Sequence, residues 1–147
     1  MKFRAKVDSY FIKVIIVAVI ILLMAFVLPL FLDSTITMEN IIVMISLLLL
    51  TIVFLLYSSF SITYTFQGDH LLVRGGFIRS RIPYEDITKV SATNEIFFGY
   101  RLLSSRDALE IFYKKAVMGS VKISPDDKEL FLTELKKRCP HVQIHAK

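Results

Sequence analysis

Cys139, His141 and His145 come closest, by type and spacing, to metal chemistry. Cys-x-His-x3-His supplies three ligands, whereas structural zinc takes four, presented from fixed turns. These three lie in a C-terminal tail around Pro140, and no metal site is expected. Ser104, Ser105 and Asp107, in the stretch SSRD, are groups that a hydrolase would use. A serine nucleophile needs a histidine beside it and a sharp turn to present it. No histidine lies in that loop, and no nucleophile elbow is present. Glu85 and Asp86 are adjacent, so in an extended strand they face opposite ways and cannot act on one bond. Gly75-Gly76 falls between two strand-like runs; it offers no helix N-terminus to a phosphate and reads as a corner. No catalytic residue, metal or cofactor is predicted.

The basic residues carry more. Arg79 and Arg81 are two apart and project from one face of a strand. With Arg74, Lys114 and Lys115 they form the candidate binding patch, and Lys136-Lys137-Arg138 adds charge further on. After residue 60 there are fourteen Lys/Arg against ten Asp/Glu. The competing reading is an ordinary solvated surface with both signs interspersed. Nucleic acid is not an expected partner, because no aromatic-basic RNA-binding motif accompanies the charge.

Two segments must position this material. Residues 14–32 (VIIVAVIILLMAFVLPLFL) and 41–60 (IIVMISLLLLTIVFLLYSSF) are uncharged throughout. At 1.5 Å per residue, about 20 apolar residues cross about 30 Å of hydrocarbon. Ser46 and Thr51 are tolerable there because a hydroxyl can bond back to its own helix. The first segment exceeds the roughly 7–15 residues of a signal-peptide core and lacks a small-x-small cleavage pattern after it. Two retained membrane helices are therefore expected. Lys2, Arg4, Lys6 and Lys13 precede the first span, and the 33–40 loop is acidic. The positive-inside rule then places both termini in the cytoplasm of a multi-pass cell (inner) membrane protein, with the short loop outside. Those four cations, with Tyr10 and Tyr57, are the expected membrane-interface residues. The lone cysteine excludes an intrachain disulfide and fits a reducing compartment.

Residues 61–147 form a separate unit of under ninety residues. Ile62, Tyr64 and Phe66 alternate with polar residues, Gly68-Asp69 marks a tight hairpin needing positive φ at the glycine, and about seven short strands follow in all. The period then changes. Ser124 is the expected cap of a closing helix, with Pro125 in its first position and Lys136–Arg138 at its negative end. Pro140 stops it, and HVQIHAK adds a short extended piece. The predicted fold is membrane-anchored α+β: two transmembrane helices, then a small antiparallel barrel or sandwich closed by one helix.

Four stretches, ITYTFQGDHLLVRGG, IPYEDITKV, SSRDALEIFYK and ISPDDKELFLTELKKRCP, resemble the YyaB-like bacterial PH-domain membrane proteins over roughly residues 61–140. The resemblance implies a PH-like domain acting by contact, with the lipid bilayer and a protein or peptide as partners. The family includes the sublancin immunity protein, so a Gram-positive source and a self-protection role are also implied. An anionic-lipid-contacting scaffold, or an accessory subunit of a larger complex, is the alternative. Phosphoinositide binding is not implied: the Gly68-Asp69 loop is short and acidic where PH domains that bind it carry a long basic one.

Overall fold

A computed structural model describes residues 1–32, 35–95, 98–116 and 118–145. Asp33 and Ser34 of the expected external loop, Ile96 and Phe97 of an ambiguous stretch, Val117 at the start of the last expected strand, and Ala146 and Lys147 of the tail lie outside the described residues.

The chain opens with β1 (Lys2–Arg4), then α1 (Ser9–Leu32) and α2 (Met38–Phe60). Both helices are long and apolar enough to cross a membrane. α1 buries none of its residues and α2 only Leu48. Such surface is unfavourable in water. Within α2 the hydroxyls of Ser46 and Thr51 donate to the carbonyls of Ile42 and Leu47 at 2.8 and 2.7 Å, so neither is left unpaired. Phe11 meets Phe60 edge to face at 6.0 Å, which joins the start of α1 to the end of α2. α1 begins five residues before the expected Val14 boundary because Asp8 caps it: its Oδ1 accepts the Phe11 N–H at 2.7 Å.

Seven strands follow: β2 (Ile62–Phe66), β3 (His70–Gly75), β4 (Ile78–Pro83), β5 (Ile87–Thr93), β6 (Tyr100–Leu102), β7 (Ala108–Tyr113) and β8 (Ser120–Ile123). α3 (Lys128–Arg138) and β9 (Gln143–His145) complete the chain. The strands make two sheets, β1-β2-β3-β4 and β6-β8-β7-β5-β9, packed as a sandwich rather than a closed barrel. Tyr64, Leu71, Val73 and Ile82 of one sheet face Val90, Leu109, Ile111 and Val121 of the other. α3 covers this core with Phe131 and Leu135.

Two local expectations are corrected. The glycine with positive φ in the first sheet is Gly76, at +56°, and not Gly68. Ser124 does not cap α3; Asp127 does, accepting the Leu130 N–H at 2.9 Å. Ser124 is held in the core, where its Oγ accepts the Ser104 N–H at 3.0 Å and its carbonyl accepts the Lys6 N–H at 2.7 Å. The basic residues 1–13 also contribute structure: β1 is an edge strand of the first sheet, with Phe3 opposite Tyr64. Tyr64 ties these pieces together. Its hydroxyl donates to the Leu102 carbonyl at 2.5 Å and accepts from the Ser124 N–H at 3.0 Å. Each such buried group left unpaired costs about 1–3 kcal/mol.

Candidate functional site

Side chains alternate across a strand, so the register fixes which residues share a face. In the first sheet Phe3, Tyr64, Val73 and Ile82 point to the core. The opposite face must then carry the intervening positions. Arg4, Thr63, Arg74 and Arg79 form one cross-strand row, and Lys2, Thr65, Leu72 and Arg81 the next. Five cations thus share one exposed surface on which no position holds a carboxylate. None of the five forms an ion pair among the described residues. Asp69, at the far end of β3, is the carboxylate in electrostatic reach of Arg81.

The expected patch is therefore divided. Arg74, Arg79 and Arg81 stand together and gain Lys2 and Arg4, which sequence reading assigned to the membrane interface. Lys114 and Lys115 lie in the turn after β7, in the other sheet, where Lys115 pairs with Asp86 at 3.7 Å. Arg138 is also engaged: it pairs with Glu134 at 2.8 Å and donates to the Gln67 carbonyl at 2.7 Å, pinning the β2–β3 turn. The grouping of Lys2 and Arg4 with the arginines was missed because it depends on pairing across about sixty residues of chain.

The β3–β4 turn lies against α2. Gly76 backs onto it so closely that a Cβ there would sit 3.1 Å from Ser58 Cα. Phe77 at the tip stacks on Phe54 at 5.6 Å and meets Tyr57 at 5.4 Å. Phe77 remains 71% exposed, so an apolar ring beside an apolar helix still faces outward. Phe54 lies six residues, about 9 Å, before the end of α2. Arg79 lies two strand residues, about 7 Å, back from Phe77. The Arg4–Arg74–Arg79 row runs through Thr63, three residues past the end of α2.

The SSRD loop, considered above for hydrolysis, is a clamp. Asp8 Oδ2 accepts the Arg106 N–H at 2.7 Å and the Ser105 hydroxyl at 3.2 Å. Asp107 holds Lys6 at 3.2 Å and also holds Lys128 of α3. Arg106 lies 4.8 Å over the Tyr10 ring. Lys13 is exposed on the second turn of α1. Burial works to raise the Asp8 carboxyl, but the Arg106 and Phe11 N–H groups, the Ser105 hydroxyl and the Arg106 charge outweigh it and hold it below the ordinary 3.8. The Lys128 hydrogen bond does most to hold Asp107 low, with Lys6 assisting against burial. A carboxyl lowered on folding stabilises above its unfolded value and loses that contribution as pH falls through its folded value. The Phe11 and Arg106 amide resonances should accordingly titrate together with a midpoint below 3.8, and Asp8→Asn should abolish the titration. A midpoint at or above the ordinary value would count against the clamp.

Cys139 is buried in the core, which pushes its thiol up to about 11. His141 Nε2 lies 3.1 Å from the Ile87 carbonyl, and His145 is on β9. No cluster of three metal-binding side chains occurs among the described residues.

Residues 62–139, over half the chain, match the Bacterial PH domain family. This chain belongs to that family. PH-like domains generally serve as non-catalytic modules that bind lipids or proteins. An uncharacterised Bacillus subtilis protein, YyaB, is 33% identical to this bacterial PH-domain protein over 93 residues. The alignment covers 63% of this chain and 63% of YyaB, so the chain spans less than two thirds of that relative's length. No solved structure matches the chain.

Proposed function

We propose that this is a non-enzymatic, membrane-anchored PH-like scaffold, with both termini cytoplasmic, whose basic sheet face engages the anionic leaflet. The observation that carries the reading is the row Arg4, Arg74 and Arg79, which passes through Thr63 just past the end of α2 and follows closely on the exposed Phe77. Neighbouring strands are about 4.8 Å apart, so the row spans about 14 Å, enough to meet more than one headgroup. Each cation near an anionic surface contributes about 1 kcal/mol, and the field decays over about 10 Å at 0.1 M salt. Lys2 and Arg81, a row further back, contribute less.

The test uses the full chain in nanodiscs with spin-labelled lipids. Phosphatidylglycerol should be immobilised in preference to phosphatidylcholine, and the preference should shrink with salt. Replacing Arg4, Arg74 and Arg79 by glutamine should lower it by up to about fivefold per residue, equivalent to about 1 kcal/mol each. Equal immobilisation of both lipids at low salt would remove the reading. The self-protection role implied by the family resemblance rests on that resemblance; the geometry adds no residue to it.

A further inference from the structure

Two cavities open where α1, α2 and β6 converge. The larger, about 410 Å³, is bounded by Phe11, Phe54, Ser58, Ser59, Arg101 and Leu103, together with the β3–β4 turn. The smaller, about 280 Å³, shares Phe11, Arg101 and Leu103 and adds Tyr10 and Arg106. Asp8 also borders the smaller one, but its oxygens already accept the Phe11 and Arg106 N–H groups. The larger volume falls within the roughly 300–1,000 Å³ of small-molecule sites.

We propose that this junction holds one anionic phospholipid, with its phosphate at Arg101, Ser58 and Ser59 and its acyl chains running along Phe11 and Phe54. The proposal rests on the membrane-surface reading above but uses different residues. Three observations select this occupant. Beyond the cavity, α1 and α2 expose predominantly apolar side chains, which an acyl chain leaving it would meet. The polar end carries a guanidinium and two hydroxyls, groups that suit a phosphate diester. The cavity lies at the end of α2, where a headgroup belongs. A free anion would leave the Phe11, Phe54 and Leu103 wall uncovered.

Native mass spectrometry of the full chain, released from micelles doped with phosphatidylglycerol, tests the assignment. One phosphatidylglycerol per chain should survive, and added inorganic phosphate should not displace it. Arg101→Gln should lower its occupancy at least tenfold, and Ser59→Phe, which fills the cavity, should do the same. The paired variant Arg74→Gln/Arg79→Gln should leave it unchanged, which separates this site from the sheet face. No retained lipid, or equal retention in Arg101→Gln, would overturn the proposal. Loss only in the paired variant would overturn it as well, and would return the lipid to the sheet surface.

Discussion

Phe131→Ala should destabilise the PH-like domain by about 3–5 kcal/mol. Phe131 is fully buried beneath the sandwich and touches three other rings: Phe66 at 4.9 Å, Phe3 at 5.4 Å and Tyr64 at 6.3 Å. Truncation removes the largest apolar side chain that α3 sends into the core. It leaves a cavity whose walls, two sheets and a terminal strand, cannot all close inward. Domains hold only about 5–15 kcal/mol in total, so the loss is a large share. Denaturant unfolding of the detergent-solubilised chain, followed by near-ultraviolet circular dichroism of its tyrosines, should show a clearly lower midpoint. Phe131→Leu should recover most of the difference. An unchanged midpoint in the alanine variant would mean that α3 is not the lid of the core.

Phe3→Asp should act at least as strongly, and through a different part of the chain. Phe3 is 5% exposed, so the substitution loses an aromatic contact worth about 3–5 kcal/mol and places a carboxylate where nothing pairs with it. The expected outcome is release of β1. The Phe66 N–H would lose the Met1 carbonyl (2.8 Å), and the Asp126 N–H would lose the Arg4 carbonyl (3.0 Å). Hydrogen exchange at those two amides should accelerate by orders of magnitude, while the interiors of α1 and α2 keep their protection. Retained protection at both amides would show that β1 contributes little to the sheet. Release of β1 would also take Lys2 and Arg4 off the basic face, so phosphatidylglycerol preference should fall with it.

The two apolar helices and the strands from Ile62 to Pro83 were legible because each has a local period: continuous apolar residues in one case, strict alternation in the other. α3 was legible for the same reason, but its first residue was not. Ser124-Pro125-Asp126-Asp127 offers several residues able to cap. Tertiary demand decides, since the N-terminal segment and the Tyr64 hydroxyl claim Ser124 and leave Asp127 to the helix. The Gly75-Gly76 corner was legible and takes its positive φ at Gly76, but the positive φ expected at Gly68 is not there, and local sequence does not show that Gly76 must back onto Ser58. β1 is three residues long and pairs with a strand some sixty residues away, so nothing local announces it. The Asp8 clamp is hidden in the same way, with its partners near residue 105. Arg79 and Arg81 could be placed on one face from their spacing alone. Their union with Lys2 and Arg4 could not, because it follows from the β1–β2 register.

The central claim is that the PH-like domain lies against the bilayer with the β3–β4 tip among the lipids and the basic row in the headgroup layer. The chain contains no tryptophan, so Phe77→Trp introduces a single fluorophore at that tip. In nanodiscs its emission should be blue-shifted and strongly quenched by lipids brominated near the headgroup end of the acyl chain. A tryptophan at Leu72, a row further from the tip, should be quenched far less. Water-exposed emission from position 77, identical in brominated and ordinary lipid, would contradict the account.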